Sequence, residues 1–406
     1  MSRFASSLDT IDKIILINFL TRFHFYLHIS TLFLQQQRGL NLVQISAIES
    51  VVVGTIFLAE VPTGVIADRI GRKWTLVLWA LFLMIGELMF LFSETYPQFL
   101  LMALFTGVGH AFGSGARDAL VYDSLPAENR DAAMPRAMGR VNSWGQLAFF
   151  ASPIIGAFIV GDLELVRVQV AIGLTVLALG LGAVIAITLR EPETEWTPER
   201  QSALAILRSG LNDLRLNPAL RKITFVTVLT TPFTGVLMIT LAPPYLQQNG
   251  VSPFAIGMSL SIGSLLAAFT QRYAYKVETW RGKGQGLAML LLVPGVSYLL
   301  LAAAFGASMT WLIIVWIYAT NDMRAPLLAA YQNAQITSAN RATVLSLMSM
   351  FVSLFTALMG LLYAGLATIS LSLAFVVMGC VIILACIMLR GSGIRDWGRA
   401  DERPQL

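Results

Sequence analysis

The chain has 406 residues, of which 56% are hydrophobic and only 13% charged, and its mean hydropathy is +0.71. Soluble domains carry ~25% charged residues, so a water-soluble globular protein is excluded and lipid is the expected solvent along most of the length. The net charge of +5 does not indicate nucleic acid, because the basic residues are spread over many loops without an aromatic-basic groove pattern.

The polar opening MSRFASSLDTIDK precedes an apolar run too long for a cleaved signal peptide, so that run reads as an anchor. A helix needs ~20 mostly apolar residues to cross a bilayer. Such runs fall at 11–33, 44–67, 74–93, 98–122, 137–160, 167–189, 222–246, 253–275, 286–304, 309–334, 342–365 and 370–390. They predict an all-α membrane protein with twelve transmembrane helices. If the N-terminus is cytoplasmic, 23 of the 28 Lys and Arg residues lie on the inner side and two, Arg38 and Arg167, on the outer. The positive-inside rule therefore predicts both termini in the cytoplasm.

One connection is long. Residues 190–221 carry Thr197 as an N-cap and Pro198 at the first helical position, then Leu204, Leu207, Leu211 and Leu214 at helical spacing. This reads as an interfacial amphipathic helix on the inner leaflet. The expected organisation is a six-helix bundle over 1–189, a cytoplasmic linker over 190–221, a second six-helix bundle over 222–390 and a cytoplasmic tail over 391–406. The two cysteines, Cys380 and Cys386, are six residues apart on one helix and cannot form a disulfide.

The chain repeats itself. FLQQQRGLNLVQI (33–45) returns as YLQQNGVSPFAI (245–256), placing Gly39 on Gly250, a shift of 211. The same shift pairs DRIGRK (68–73) with TWRGKG (279–284), Gly71 with Gly282, and PAENR (126–130) with TSANR (337–341). The shift spans an even number of helices, so the halves share one orientation: a parallel repeat about an axis along the membrane normal.

GVIADRIGRKW (64–74) resembles the loop signature of the major facilitator superfamily between its second and third helices, through Gly64, Asp68, Arg69, Gly71, Arg72 and Lys73. The resemblance covers the whole chain and implies the major facilitator fold. Gly71 permits a tight turn and Gly64 a close helix contact. Asp68 is placed to pair with Arg72, and Asp123 lies where the family keeps the acid that completes this cluster. The resemblance implies a latch joining the halves on the cytoplasmic side. In span 5, AFFASPIIGA (148–157) is similar to the G-x-x-x-G-P-x-x-G-G segment of proton-exchanging exporters. Pro153 and Gly156 match, while Ala148, Ser152 and Ala157 replace glycines. Ala103 stands where such exporters often have Arg.

Ionisable groups within a span are costly and usually face a cavity or a partner. The candidates for a substrate and proton pathway are Arg22, His24, Tyr26, Glu87, His110, Arg117, Asp118, Asp322 and Arg324. Arg22, Asp118 and Asp322 are the expected centre, with Asp118 or Asp322 as proton carrier and Arg22 as counter-charge or anchor for an anionic substrate. Arg117–Asp118 also fits a structural pair, His24 and His28 fit satisfied packing positions, and Glu49 fits the outer interface. Phe23, Phe25, Tyr26, Trp311, Trp316 and Tyr318 offer an aromatic lining suited to amphipathic organic molecules, or lipid-facing or packing positions. In GVGHAFGSGARD (107–118), the glycines Gly107, Gly113 and Gly115 read as helix-packing positions, because no G-K-[ST] follows. No metal cluster, cofactor motif or catalytic constellation is found.

The reading is a secondary transporter working by alternating access, resembling proton-coupled multidrug antiporters. It would export amphipathic organic small molecules as a monomer in a bacterial inner membrane, with protons as the coupling ion and no nucleic-acid partner. The alternatives are a carrier for a specific organic anion or lipid, and a membrane-embedded enzyme or receptor.

Overall fold

The computed structural model describes residues 9–390 apart from 114, 127, 129, 192–210, 213, 304 and 337–340. Among them there is no strand, and ten helices are long and apolar enough to cross a bilayer. These ten match spans 2–9, 11 and 12 of the sequence reading. Spans 1 and 10 depart from it, because neither is one continuous helix.

Span 1 runs as a helix from Thr10 to Leu20, opens over residues 21–26, makes a short 3-10 turn at Leu27–Ile29, and resumes as Ser30–Arg38. Span 10 runs from Ala307 to Thr320, opens over residues 321–324, and resumes as Ala325–Gln335. Backbone polar groups freed inside a membrane must find other partners. In span 1, Phe25 N donates to Thr175 Oγ1 at 3.3 Å and Ile29 N to Tyr26 O at 2.9 Å. In span 10, Met323 N donates to Thr320 O at 3.2 Å and Ala325 N to Asp322 O at 3.0 Å. Pro326, in the first turn of the second half, needs no donor there.

Spans 4 and 7 are irregular too. Span 4 breaks at Gly115, which has φ +74° and starts a new helix, Ala116–Asp123. Gly115 is therefore a turn residue rather than the packing glycine expected, and a Cβ there meets nothing within 4 Å. Gly107 and Gly113 do pack closely, against Thr55 and Trp79. Span 7 contains a π-helical stretch, Val236–Leu241, after the short turn Pro232–Gly235. Adding 211 to the opening of span 1 at 21–29 gives 232–240, which is this irregular stretch. The repeat has kept its discontinuities as well as its turns.

The turns agree closely. Gly71 has φ 88° and ψ 163°, and Gly282 has φ 82° and ψ 164°. Gly39 and Gly250, at the outer ends of spans 1 and 7, have φ 67° and 82°. Only glycine adopts these conformations without strain, so the repeated glycines are repeated backbone requirements. The PAENR and TSANR pair lies partly outside the described residues.

Two compact units divide the chain. The first holds residues up to Pro198 together with Pro253–Ser261, the opening turns of span 8; the second holds Glu199–Ser252 and Ile262 onward. The boundary thus differs from the expected 189/222 division by cutting through span 8. In the first unit the opening helix is packed all round: Ile14 and Ile17 meet Leu76 and Leu83 of span 3, Leu120 and Val121 of span 4, and Leu179 of span 6. Buried Lys13 donates to Thr188 O at 2.9 Å, placing a cation on the carboxyl end of span 6. In the second unit Leu214 and Leu220 pack with Ile336, Val344, Leu347 and Met348. Leu211 and Leu214 of the proposed linker helix are thus packed on this core. Thr197, Pro198, Leu204 and Leu207 lie outside the described residues, as does the tail. Cys380 and Cys386 form no disulfide, and Cys386 Sγ donates to Ala288 O at 3.3 Å.

Candidate functional site

In the first unit, the opening of span 1 delivers three polar side chains that an intact helix would distribute around its circumference. Tyr26 and His24 converge on Glu87 of span 3. Tyr26 Oη donates to Glu87 Oε2 at 2.5 Å, and His24 Nδ1 lies 3.4 Å from Glu87 Oε1. Tyr26 is buried, and the Glu87 side chain is 13% exposed. Both carboxylate oxygens therefore have a partner in a nearly dry setting. His24, Arg22 and Glu87 act electrostatically on His110, and Glu49 of span 2 lies within electrostatic reach of Tyr26.

The expected centre draws Arg22 and Asp118 from the first unit and Asp322 from the second. Asp118 is 47% exposed and takes Arg117 Nε on Oδ1 at 2.9 Å; Arg117 in turn donates to Asn18 Oδ1 at 2.9 Å. Asn18 Nδ2 donates to Val141 O at 2.9 Å. Arg117–Asp118 is a clasp tying span 4 to spans 1 and 5. Asp322 belongs to the second unit. Arg22 is exposed and no carboxylate among the described residues pairs with it. His24 is not a packing histidine, because it faces a carboxylate. His28 is fully packed, yet neither ring nitrogen has a hydrogen-bond partner.

Span 5 explains how the opening is held. The backbone carbonyl of Phe25 presses on Gly156 where a side chain would be, with His28 beside it. Gly257 of span 8 sits against Pro153 O, Ala157 and His28 in the same way. Ser152 is buried and Ser261 Oγ donates to Phe150 O at 3.0 Å. The aromatic residues of span 1 stack locally, Phe19 on Phe23 at 4.8 Å and Tyr26 on Phe90 at 4.9 Å.

The loop signature sits at the turn into span 3. Arg72 forms an ion pair with Asp123 and donates to Ala119 O at 2.9 Å, so the acid partner seen is Asp123. The Asp68 side chain lies outside the described residues. Gly71 makes the expected turn, but Gly64 is exposed and a Cβ there meets nothing within 4 Å, so it makes no close helix contact among the described residues. Arg69 is exposed, and Lys73 Nζ lies over the Trp74 ring at 5.4 Å. Sequence reading missed Glu191. Its carboxylate accepts from the backbone N–H of Arg72 and, at 3.4 Å, of Lys73. It supplies the helix cap that Gly71 lacks, from 119 residues away along the chain. Gly282, the repeat partner of Gly71, has nothing within 4 Å.

In the second unit, span 10 opens against span 7. Thr234 Oγ1 donates to Asp322 Oδ1 at 2.8 Å and accepts from Asn321 Nδ2 at 2.6 Å. Arg324 is buried; its Nε donates to Thr230 Oγ1 at 2.9 Å and its Nη2 to Thr230 O. The Tyr318 side chain packs on Gly263, and Trp316 is exposed. Asn321 adjoins Asp322 and Thr234 lies in the repeat partner of the span-1 opening, so both carried a positional signal. Glu191 carried none. Among the described residues no group of His, Cys, Asp or Glu forms a metal cluster.

A family model described as Major Facilitator Superfamily matches residues 14–333. "Multidrug resistance protein 1" of Bacillus subtilis (strain 168) is 23% identical over 267 residues, 65% of this chain and 65% of its own length, so the match spans less than two thirds of that relative. An "Uncharacterized MFS-type transporter" of Methanocaldococcus jannaschii is 29% identical over 102 residues, 25% of each chain. Among solved structures, nucleoside transporter NupG has a TM-score of 0.74 at 14% identity, covering 95% of this chain and 99% of its own. The POT family transporter PepTSo has a TM-score of 0.76 at 14% identity, covering 96% and 98%. At such identities these structures show a shared fold.

Proposed function

This chain belongs to the major facilitator superfamily, a multi-pass membrane transporter rather than an enzyme, and on that premise we propose that it is a proton-coupled exporter of amphipathic organic molecules. The observation that carries the reading is the membrane-embedded carboxylate of Glu87 held between Tyr26 and His24. The multidrug name of the Bacillus relative supports the substrate class. We place the termini in the cytoplasm and the protein in a bacterial inner membrane, as a monomer.

Glu87, rather than Asp118 or Asp322, is the proton carrier in this reading. Unprotonated, it accepts from Tyr26 and faces His24. A proton arriving on the carboxylate removes the charge that draws His24 and turns one oxygen into a donor. Residues 21–29 are held by side chains and packing instead of a continuous helical ladder, so they can rearrange at low cost. Protonation of Glu87 therefore biases the opening of span 1, and alternating access follows as a two-state shift driven by that difference. Arg72 with Asp123 ties the start of span 3 to the end of span 4 within the first unit.

The test is transport in vesicles with an imposed pH gradient. Glu87→Gln keeps the shape of the side chain and removes its charge. It should abolish gradient-driven movement of cationic dyes while leaving dye binding intact. Full pH-driven transport by this variant would end the proposal.

One observation favours a second reading, a carrier for organic anions: Arg22 is exposed and has no carboxylate partner among the described residues. Transport of anionic but not cationic probes, lost in Arg22→Ala, would select it.

A further inference from the structure

We propose that the opening of span 10 in the second unit is a recognition subsite for hydrogen-bond donors on the substrate, with Asn321 as its specificity-determining residue. The inference rests on the exporter reading above and adds the substrate chemistry that the second unit selects.

A hydroxyl group has one hydrogen to donate. Thr234 commits its hydrogen to Asp322 Oδ1, so the group facing its lone pair has to be a donor. That group is Asn321 Nδ2, at 2.6 Å. The contact settles which way the amide points, and it leaves Asn321 Oδ1 directed away from Thr234. That oxygen is buried and has no hydrogen-bond partner, and the residue is only 1% exposed. Native structures pair nearly all buried polar atoms, so an orphan acceptor needs an explanation.

Three neighbouring features define what would satisfy it. Asp322 is half-buried and spends one carboxylate oxygen on Thr234, leaving the other as a second acceptor. The helix Ala307–Thr320 ends and the helix Ala325–Gln335 begins here, so the negative end of one dipole and the positive end of the other meet at this opening and offset each other. Arg324, the nearest cation, directs Nε and Nη2 to Thr230 and makes no hydrogen bond to Asn321. It offsets the charge of Asp322 without filling the vacant acceptor. The opening therefore offers two acceptors. Its complement is a ligand that carries N–H or O–H groups, which reaches Asn321 when span 10 opens further. A ligand without such hydrogens leaves Asn321 unpaired, and binding sites reject ligands that do so.

Two permanent cations isolate the donor from the charge. Ethidium carries two aromatic amino groups, and tetraphenylphosphonium carries no N–H or O–H. Their binding to the purified full chain in detergent, with no gradient, is measured for wild type, Asn321→Leu and Asn321→Ser. Loss of one hydrogen bond to a charged ligand corresponds to about tenfold in affinity. Both variants are expected to bind ethidium about tenfold more weakly and tetraphenylphosphonium as wild type does. The Ser variant is the smaller perturbation should the Leu variant not fold. Equal losses for both probes, no loss for either, or a wild type that binds neither would overturn the subsite, because Asn321 would then serve only the fold or a trapped water. Binding that discriminates as expected, with no movement of either probe down a pH gradient, would instead refute proton coupling and leave the subsite standing.

Discussion

Gly156→Ala should disable this protein although it adds a single methyl group. The carbonyl of Phe25 occupies the space a Cβ would need, the carbonyl carbon lies 2.7 Å from the Cβ position, and His28 Cε1 lies at 2.9 Å. Two of these three obstacles are backbone atoms, which no rotamer change can move aside. Overpacking costs about 1–3 kcal/mol, while Ala in place of a helical Gly contributes roughly 0.5–1 kcal/mol in the other direction. The net expectation is a loss of about 1–2 kcal/mol. The strain falls on residues 21–29, so Tyr26 and His24 shift relative to Glu87 and transport falls further than stability. Gly173→Ala, in the helix Leu165–Ile187, is the internal control: nothing lies within 4 Å of its Cβ, and only the helical gain of roughly 0.5–1 kcal/mol remains. Thermal unfolding in detergent should therefore move the two variants in opposite directions, with transport in vesicles intact only for Gly173→Ala. If both variants match wild type in melting and in transport, the crossing of the span-1 opening over span 5 is wrong.

Tyr26→Phe removes the donor to Glu87 and should slow gradient-driven transport by roughly tenfold, the worth of a hydrogen bond to a charged group; an unchanged rate means that bond has no part in coupling. His28→Leu removes two buried, unpartnered nitrogens and should raise the melting temperature, relieving about 1–3 kcal/mol. A lower melting temperature would show that the ring is paired after all. Glu191→Ala uncaps the helix Arg72–Phe92 and should cost about 1 kcal/mol, with Glu191→Asp recovering part of it in the same melting assay. Asp118→Asn should leave proton coupling in place, since Asp118 serves the Arg117 clasp; loss of coupling in a stable Asp118→Asn protein would return the carrier role to it.

The pathway residues were only partly legible in the chain. Ionisable groups within apolar runs put His24 and Glu87 among the pathway candidates, with Tyr26 beside them, because lipid penalises such groups wherever they sit. Their convergence was not visible. On a continuous helix His24 and Tyr26, two residues apart, would point in different directions, and only the opening of span 1 lets both reach Glu87. The sequence put Asp118 ahead of Glu87 as proton carrier, yet its neighbour Arg117 claims it. Glu191 reads as one more acid in a polar linker until the turn at Gly71 is seen to lack a cap.

Length, hydropathy, the 211-residue repeat and the loop glycines settled the fold class from the chain alone. Those properties are local or periodic, and each follows from the solvent and from backbone conformation at a few positions. The discontinuities of spans 1, 4, 7 and 10 belong to the tertiary structure. An interrupted helix in a membrane survives only where side chains such as Thr175 take over its unpaired backbone groups and small residues such as Gly156 leave room for its carbonyls. Those partners lie more than a hundred residues away from the opening of span 1, where no sequence period can point to them.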